Sequence, residues 1–449
     1  MRSLKLGIIL MPRKKRREPE TAYIDSSTHD GRGIAAIEGK KVFVSGALPG
    51  EKVEFIRRKS KKNFDEAELL KVIKPSNDRI EAKCEVFGRC GGCSLQHINE
   101  DYQRLIKEEA LYNSLERIAK VKPKFNLSPV KGPVWGYRRK ARIAVKDVLA
   151  KGRVLVGFRE KHAPFITDMH HCDILASPVD NILDDLSELI SKLSIRARVP
   201  QIEIAVADNA TALVFRVLDE PNNNDLQHLI MFGSEKNYLI YIQPGDLNSL
   251  QLINYEKETE FLSYYLPEFD VKIEFSPVDF IQINNDINKK MVNLAVDLLN
   301  PKPEDLVLDL FCGVGNFSLP LARKSRNVCG IEGEKMLVDR AKKNAKNNEI
   351  SNVDFKVVDL EKINGKESWI KNGCNKLLLD PARSGAAKIV EIMNILNPER
   401  IVYVSCNPAT LARDSAILVH NHKYQLEAAG ILDMFPHTAH VESIALFTK

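Results

Sequence analysis

The sequence lacks any long apolar run. No stretch approaches the roughly 18 consecutive apolar residues of a membrane-spanning helix, so we predict no transmembrane segment. Residues 1–10 are too short, and lack the small-residue cleavage site, for a signal peptide. We assign no function to these residues, and Met11 is an alternative start. We therefore expect a cytoplasmic protein with no membrane partner.

Cysteine and net charge are also scarce. Eight cysteines among 449 residues, without a secretion signal, do not indicate a disulfide scaffold, so these side chains need another explanation. The formal net charge is only +6, which does not by itself predict a nucleic-acid partner. The chain has no evident repeat or low-complexity segment, and its length favours two or three domains.

Positive charge is concentrated in three short runs. They are Arg13–Arg17, Arg57–Lys62 and Arg138–Arg142, the last of which has Trp135 and Tyr137 beside it. Together these runs favour a front end that faces a polyanion. A solvated face or a disordered tail would explain any one of them alone. We expect residues 1–19 to be a disordered basic tail.

Three folded parts are predicted after this tail. Residues 20–76 alternate like five short strands around the glycine-rich turn His29–Gly33, which suits an OB-like β-barrel. Residues 77–268 predict a mixed α/β central domain, whose helical segment at about 98–125 could pack on the next domain. Strands alternate with helices over residues 269–449, which predicts a Rossmann-like domain with a mostly parallel sheet.

The first candidate site is a cofactor cradle. The buried strand Val307–Leu310 runs into a Gly-x-Gly turn at Gly313 and Gly315, which brings backbone N–H groups close to a ligand. Glu332 ends the next strand, where it can bind ribose hydroxyls, and Asp359 ends the third, where it can meet an adenine edge. Acidic strand ends suit a ligand without phosphate that carries a positive sulfonium. We predict S-adenosylmethionine.

The second candidate site is a nucleophile. Cys406 ends a buried strand at the sheet edge that faces the ligand crevice, and Asp380 ends the preceding strand. A thiolate added to C6 of uracil turns C5 into an enolate-like carbon that can attack a methyl group, and a base must then remove the C5 proton. Glu442, in a segment that also contains His437 and His440, is our candidate for that base.

A third candidate site is a cysteine cluster. Cys84, Cys90 and Cys93 lie within ten residues in a glycine-rich loop, and Cys172 could supply a fourth ligand. Sulfur ligands suit either zinc or an iron–sulfur cluster, and His170 or His171 could substitute in a zinc site. The spacing alone does not decide between these metals.

Four motifs, in this order, resemble the uracil-C5 RNA methyltransferase family. They are Asp309–Phe317, Asp380–Arg383, Ser405–Pro408 and His440–Ser443, and the segment Phe275–Asn284 resembles the opening of the family's catalytic domain. The resemblance implies that Cys406 is the nucleophile and Glu442 the general base. It also implies cofactor contacts from six residues: Gln282, Phe311, Asn316, Glu332, Asp359 and Asp380. Many family members have Asn at the position of Asp359.

The same resemblance covers the rest of the chain. It implies that residues 20–76 form a TRAM domain and that the four cysteines hold a [4Fe-4S] cluster. We expect a structural or RNA-positioning role for the cluster, because methyl transfer needs no electron. Family members with both features methylate 23S ribosomal RNA, so we expect 5-methyluridine formation there, on a uridine flipped out of its stack. We expect a monomer with no obligate protein partner.

Three alternatives stay open. The chain could carry out the same chemistry on another ribosomal or transfer RNA uridine, or on two uridines. It could methylate an exocyclic amine without a thiolate, although Asp380–Arg383 lacks the second proline and the aromatic residue typical of such enzymes. It could also be a non-catalytic RNA-binding iron–sulfur protein.

Overall fold

The computed structural model describes residues 18–28, 30–254, 261–363, 365–370 and 373–449. They divide into two compact units, with the boundary between Ile80 and Glu81. Most of the predicted tail, with the basic run Arg13–Arg17, and His29 of the glycine-rich turn lie outside the described residues. Within the described ranges, no helix is both long enough and apolar enough to cross a membrane.

The first unit is built on a six-stranded sheet. In chain order its strands are β1 (Glu20–Tyr23), β2 (Ser26–Ser27), β3 (Gly33–Ile37), β4 (Lys40–Ser45), β5 (Lys52–Ser60) and β6 (Phe64–Lys74). They lie in the order β1-β5-β6-β4-β3-β2, with only β4 and β6 parallel. The sequence predicted five strands. The additional two-residue β2 is too short to leave an alternating pattern.

The glycine-rich turn of this unit is fixed by close packing. Gly31 has a φ of 80°, and Thr28 accepts hydrogen bonds from the backbone N–H groups of Gly31 and Arg32. A Cβ atom on Gly33 would lie 2.7 Å from Ile24 and 2.9 Å from the carbonyl oxygen of Ala47. Only glycine therefore fits this position without a shift of the backbone.

The second basic run is largely paired within the first unit. Arg57 forms ion pairs with Asp65 at 2.5 Å and with Glu20 at 2.7 Å, and Arg58 pairs with Glu68 at 2.6 Å. Lys61 lies over the ring of Phe64. Neighbouring carboxylates therefore offset part of the positive charge of this run.

The second unit begins with a helix and then forms a sheet. Its first elements are α1 (Glu100–Ser114), β7 (Phe125–Asn126), β8 (Lys140–Val148), β9 (Arg153–Gly157), α2 (Leu183–Lys192), β10 (Gln201–Val206), β11 (Thr211–Arg216), α3 (Asn223–Lys236), β12 (Tyr238–Gln243) and β13 (Gln251–Leu252). A six-stranded sheet forms in the order β13-β12-β11-β10-β8-β9. The hairpin β14 (Leu262–Leu266) and β15 (Val271–Phe275) follows, and the predicted boundary at 268/269 falls in its turn. The separation into central and methyltransferase domains stays a prediction.

A second, eight-stranded sheet follows. Its part of the chain contains α4 (Asn285–Leu299), β16 (Leu306–Leu310), α5 (Ser318–Ala322), β17 (Asn327–Glu332), α6 (Lys335–Asn347), β18 (Val353–Val357), β19 (Lys376–Leu379), α7 (Ala387–Glu391), α8 (Met393–Leu396), β20 (Arg400–Ser405), α9 (Pro408–Ala416), β21 (Gln425–Leu432) and β22 (Glu442–Thr448). The order is β18-β17-β16-β19-β20-β22-β21-β7. The first five are parallel, and β22 is antiparallel to β20 and β21.

Both faces of this sheet are buried. On β20, Val402 and Val404 belong to the apolar core on one face, whereas Ile401 and Tyr403 belong to the core on the other. Successive side chains of a strand point to opposite faces, so a strand covered on both sides must be apolar throughout. This explains the unbroken apolar runs that mark these strands in the sequence.

The structure differs from the predicted helices at one point. The sequence pattern over Ala386–Leu396 predicts a single helix, but α7 and α8 are separated at Ile392, whose φ of −96° and ψ of 16° are not helical. β-Branched residues are frequent here, and they restrict side-chain rotamers against the preceding helical turn. Two short helices therefore replace one.

Candidate active site

The site begins at a reversal of strand order. The chain moves outward from β16 to β17 and β18, and then returns to β19 on the other side of β16. Such a reversal leaves a crevice beyond the carboxyl ends of the two central strands. Phe311 follows β16, Glu332 ends β17 and Asp380 follows β19, so three of the predicted cofactor residues lie at this edge.

The glycine loop after β16 fixes the carboxylate of Glu332. The backbone N–H of Gly313 donates to this carboxylate at 3.2 Å, and the N–H groups of Gly333 and Glu334 donate to it at 2.6 and 3.0 Å. Phe311 has a φ of 67°, which is unfavourable for a residue with a Cβ atom. The loop thus combines a strained backbone with a rigidly held acid, an arrangement suited to binding ligand hydroxyls.

The side chain of Asn316 is oriented by hydrogen bonds to its neighbours. Its Oδ1 accepts from the hydroxyl of Tyr264 at 2.8 Å and from Asn288 at 3.1 Å, and its Nδ2 donates to Asn288 at 3.0 Å. Gln282 is half-buried, and its carbonyl oxygen accepts from Nε of Arg139 at 3.1 Å. Both residues are thereby tied to groups outside the glycine loop.

Asp359 differs from the other predicted cofactor residues. It is exposed, and it forms an ion pair with Lys362 at 2.7 Å. The hydrogen bond from Lys362 lowers the pKa of the Asp359 carboxyl. A ligand at the end of β18 would therefore compete with Lys362 for this carboxylate.

Sequence reasoning gave no role to Asp309, although it is the one acid in the strand β16. Its side chain is fully buried and accepts a hydrogen bond from Ser318. Burial, together with the nearby Asp380 and Glu332, raises its pKa to about 7 against the opposing effect of the hydrogen bond from Ser318. The sequence did carry a signal for this residue, because an acid inside an otherwise apolar strand indicates a carboxyl with a specific role near the crevice.

Cys406 and Glu442 come together through strand register. Cys406 follows the end of β20, and Glu442 is the first residue of β22. Ser405 pairs with Ser443, whose hydroxyl also donates to the carbonyl oxygen of Ser405 at 3.0 Å. In an antiparallel pair the next positions outward are Cys406 and Glu442, so the two side chains lie at the same end of the ladder.

The electrostatics of this pair disfavour negative charge. Burial, with smaller contributions from Glu442 and Asp380, raises the pKa of the Cys406 thiol to about 11, and Arg383 opposes this rise. Burial raises the pKa of Glu442 well above its usual range, with Asp380 contributing, and raises that of Asp380 to about 7. A positively charged ligand near Cys406, Glu442 and Asp380 would stabilise the ionised forms of these three buried acidic groups.

The four predicted metal-ligating cysteines line one cavity. Cys84, Cys90, Cys93 and Cys172 face it together with Phe87, Phe158 and Asp173. No group of three or more His, Cys, Asp or Glu side chains in the described ranges is arranged as a ready metal site. Among the described residues that line the cavity none is a histidine, and His170 instead hydrogen-bonds to Asp184 at 2.9 Å. Four thiols thus converge on the cavity, and the carboxylate of Asp173 beside them is paired with Lys83 at 2.7 Å.

The third basic run is not a basic surface. Arg139 and Tyr137 are 3% and 5% exposed, and Lys140 donates to the carbonyl oxygen of Asp279. Arg142 is exposed but pairs with Glu203 at 2.9 Å. The interpretation of this run as a patch that faces a polyanion is wrong for its buried members. Arg139, just before β8, is turned inward and donates to the carbonyl oxygen of Gln282 at 3.1 Å.

Comparison with known proteins agrees with this geometry. The tRNA (uracil-5-)-methyltransferase family model matches residues 251–449, and the TRAM domain model matches residues 13–70. The 23S rRNA (uracil(1939)-C(5))-methyltransferase RlmD of Methylococcus capsulatus is 47% identical over 96% of this chain and 97% of the relative. RlmD of Legionella pneumophila is 46% identical over 96% and 97%. This chain belongs to the RNA uracil-C5 methyltransferase family.

A solved structure of this family supports the same assignment. The tRNA (uracil-54, C5)-methyltransferase of Pyrococcus abyssi, in complex with S-adenosyl-L-homocysteine, superposes with a TM-score of 0.72. It is 26% identical, and the match covers 96% of this chain and 100% of the archaeal one. The predictions of a TRAM domain, a Rossmann-like methyltransferase fold and this family are confirmed.

The buried carboxyl of Asp309 predicts a pH-dependent stability in this methyltransferase. Because its folded-state pKa is raised from 3.8 to about 7, the neutral carboxyl is stable at low pH, and stability is lost as pH rises through that range. The substitution Asp309→Asn should therefore change the free energy of unfolding more favourably at pH 8 than at pH 4, by up to about 4 kcal/mol. Urea unfolding at several pH values measures this. Asp359→Asn, at an exposed position, is the control, and equal effects of both variants would contradict the assignment.

Proposed function

We propose that this chain transfers a methyl group from S-adenosylmethionine to C5 of a uridine in 23S ribosomal RNA, forming 5-methyluridine. The single observation that carries the proposal is the register that sets Cys406 beside Glu442 at the crevice. Near-full-length identity of about 46% to RlmD proteins supports 23S ribosomal RNA as the substrate. The TRAM domain supports RNA binding.

The chemistry follows from these two side chains. The thiolate of Cys406 forms a bond to C6 of the uracil, and the electron pair of the C5–C6 double bond moves to C5. C5 then takes the methyl group as its bond to the sulfonium breaks, which leaves a neutral thioether. Glu442 accepts the C5 proton, and the electrons of that C–H bond restore the double bond and expel Cys406 as thiolate.

The surrounding charges suit this sequence of steps. Cys406 and Glu442 both have raised pKa values in the ligand-free site, so each must lose a proton before it acts. A sulfonium bound near these acids would favour their ionised forms. Gln282, Phe311, Asn316, Glu332, Asp359 and Asp380 are the residues that we propose to hold the cofactor. Of these, exposed Asp359 must first release Lys362.

We further propose that Cys84, Cys90, Cys93 and Cys172 hold a [4Fe-4S] cluster. The convergence of these four thiols on one cavity fits a four-thiolate donor set, which such clusters use. When bound, the cluster would fasten the loop that contains three of these cysteines to the segment around Cys172. The thiols themselves bind and orient, and no step of methyl transfer passes through them.

The substrate can be tested directly. The purified protein, incubated with S-adenosylmethionine and 23S ribosomal RNA transcripts, should place 5-methyluridine at one or two uridines located by mass spectrometry. Transfer RNA transcripts serve as the competing substrate, since the solved relative acts on tRNA. Methylation of transfer RNA alone would overturn the proposed substrate while leaving the reaction intact.

The two catalytic assignments give different phenotypes. Cys406→Ala should abolish methyl transfer, because C5 is then not activated. Glu442→Gln should allow attack and methylation but slow release by about 10²- to 10⁴-fold, the usual contribution of a general base. The expected product is a methylated RNA–protein adduct that survives denaturation, visible by electrophoresis.

Cys329→Ala is the matched control, because Cys329 lies in β17 and has no proposed role. It should turn over normally. Methyl transfer by Cys406→Ala at the normal rate would contradict the nucleophile, and the absence of an adduct with Glu442→Gln would contradict the base.

The cluster can be tested without any turnover. The chain, purified without oxygen, should contain iron and sulfide in the ratio of a [4Fe-4S] cluster. Cys90→Ser should lose both, whereas Cys374→Ser, which alters a cysteine outside the cavity, should keep them. Zinc in place of iron, or iron content unchanged in Cys90→Ser, would contradict the proposal.

A further inference from the structure

The connection between β21 and β22 leads directly to Glu442. Its residue His437 is 2% exposed and has a φ of 63°, in the left-handed region that residues with a Cβ atom avoid. Such a conformation persists only where surrounding contacts hold it. The contacts around His437 therefore show what fixes this connection.

Gln103 of α1 holds His437 at two points. The backbone N–H of His437 donates to Oε1 of Gln103 at 2.8 Å, and Nε2 of Gln103 lies 3.3 Å from Nδ1 of the His437 ring. An amide nitrogen only donates, so Nδ1 accepts this bond and the ring proton resides on Nε2. Nε2 of Gln103 also donates to the carbonyl oxygen of Ile98 at 2.8 Å, which fixes Gln103 itself.

The loop that contains Cys84, Cys90 and Cys93, here called the cysteine loop, also binds His437. The backbone N–H groups of Ser94 and Leu95, directly after Cys93, donate to the carbonyl oxygen of His437 at 2.9 and 3.0 Å. The ring of Trp135 stacks on the His437 ring with 3.9 Å between centroids. We call Gln103, His437, Ser94, Leu95 and Trp135 the clamp.

The rest of the connection is fixed to the same part of the unit. Lys107 of α1 forms a buried ion pair with Asp433 at 2.7 Å and donates to the carbonyl oxygen of Phe435 at 3.0 Å. The hydroxyl of Tyr137 donates to the carbonyl oxygen of Pro436 at 3.0 Å. The backbone carbonyl of each residue from Phe435 to His437 thus accepts a hydrogen bond from a group outside the connection.

The path from the clamp to Glu442 is short. The hydroxyl of Thr438 donates to Phe435 at 3.0 Å and accepts from the backbone N–H of His440 at 3.3 Å, which makes a tight turn. Glu442 pairs with Leu432, the last pair of the β21–β22 ladder. Because the ends of a ladder open most easily, the placement of Glu442 depends on how firmly the connection is held.

We propose that Gln103 and His437 position Glu442 for removal of the C5 proton, and that the cysteine loop takes part through Ser94 and Leu95. This inference rests on the proposed function of Glu442. Neither Gln103 nor His437 is assigned a contact with the reacting atoms, so both are positioning residues. Without the clamp, attack by Cys406 and methyl transfer proceed, and only proton removal slows.

The test uses the full chain, S-adenosylmethionine and substrate RNA with tritium at C5 of its uridines. Gln103→Leu and His437→Ala should methylate at the normal rate in the first turnover. Tritium release should slow by about 10- to 100-fold, the effect of a misplacement of about 1 Å, and a methylated adduct should accumulate.

Two matched variants separate positioning from general damage. His437→Asn should restore most tritium release, because Asn tolerates the left-handed conformation and its side-chain oxygen can accept from Gln103. Glu109→Ala, at an exposed position on the same helix, should behave like the unaltered chain.

Hydrogen exchange gives a readout that needs no turnover. In Gln103→Leu, the amides of Ser94 and Leu95 should exchange at least about tenfold faster, because their acceptor is less firmly held. Amides in the β20–β22 ladder should be unchanged. Because this measurement uses Gln103→Leu, it still tests the inference if His437→Ala does not fold.

Three results would overturn the inference. One is an equal loss of first-turnover methylation and tritium release without an adduct, which indicates only structural damage. The others are normal tritium release in Gln103→Leu and unchanged exchange at Ser94 and Leu95. If Glu442→Gln accumulates the adduct and Gln103→Leu does not, the positioning role is contradicted and the role of Glu442 as base is retained. If Glu442→Gln also gives none, the proposed function of Glu442 fails.

Discussion

The antiparallel register between β20 and β22 is the constraint on which the proposed chemistry depends. Ser405 opposite Ser443 sets the ends of the two strands level, so that the residue after one strand and the first residue of the other meet at the crevice. A shift by one residue would turn Glu442 toward the opposite face of the sheet. Such a shift would also break the hydrogen bond from the Ser443 hydroxyl to the carbonyl oxygen of Ser405.

The acids around the crevice are held at a cost in stability that a ligand can offset. Asp309, Asp380 and Glu442 all have raised pKa values, and burial is the largest cause in each case. Carboxyl groups that resist ionisation in the free protein respond strongly to a nearby positive charge. The proposed cofactor supplies such a charge, so its binding and the activation of Cys406 and Glu442 would be coupled through electrostatics.

The segments before residue 269 contact the large sheet and the connection that leads to Glu442. Helix α1 packs against β21 and α9, and the short β7 extends the large sheet by an eighth strand. The cysteine loop and α1 both hold the connection that leads to Glu442. A role for the cysteine cavity in arranging the active site therefore needs no electron transfer, only hydrogen bonds from Ser94 and Leu95.

The sequence by itself determined the family and most of the parallel sheet. Apolar runs ending in Gly313, Glu332, Asp380 and Cys406 predicted the strands and the edge that they share, because parallel strands bring their carboxyl ends together. Tertiary structure alone decided the burial of Arg139, the break at Ile392, the hairpin β21–β22 and the contact between Gln103 and His437. Gln103 and His437 are far apart in the chain, and periodicity describes only neighbours in sequence, so no local pattern could have predicted their hydrogen bond.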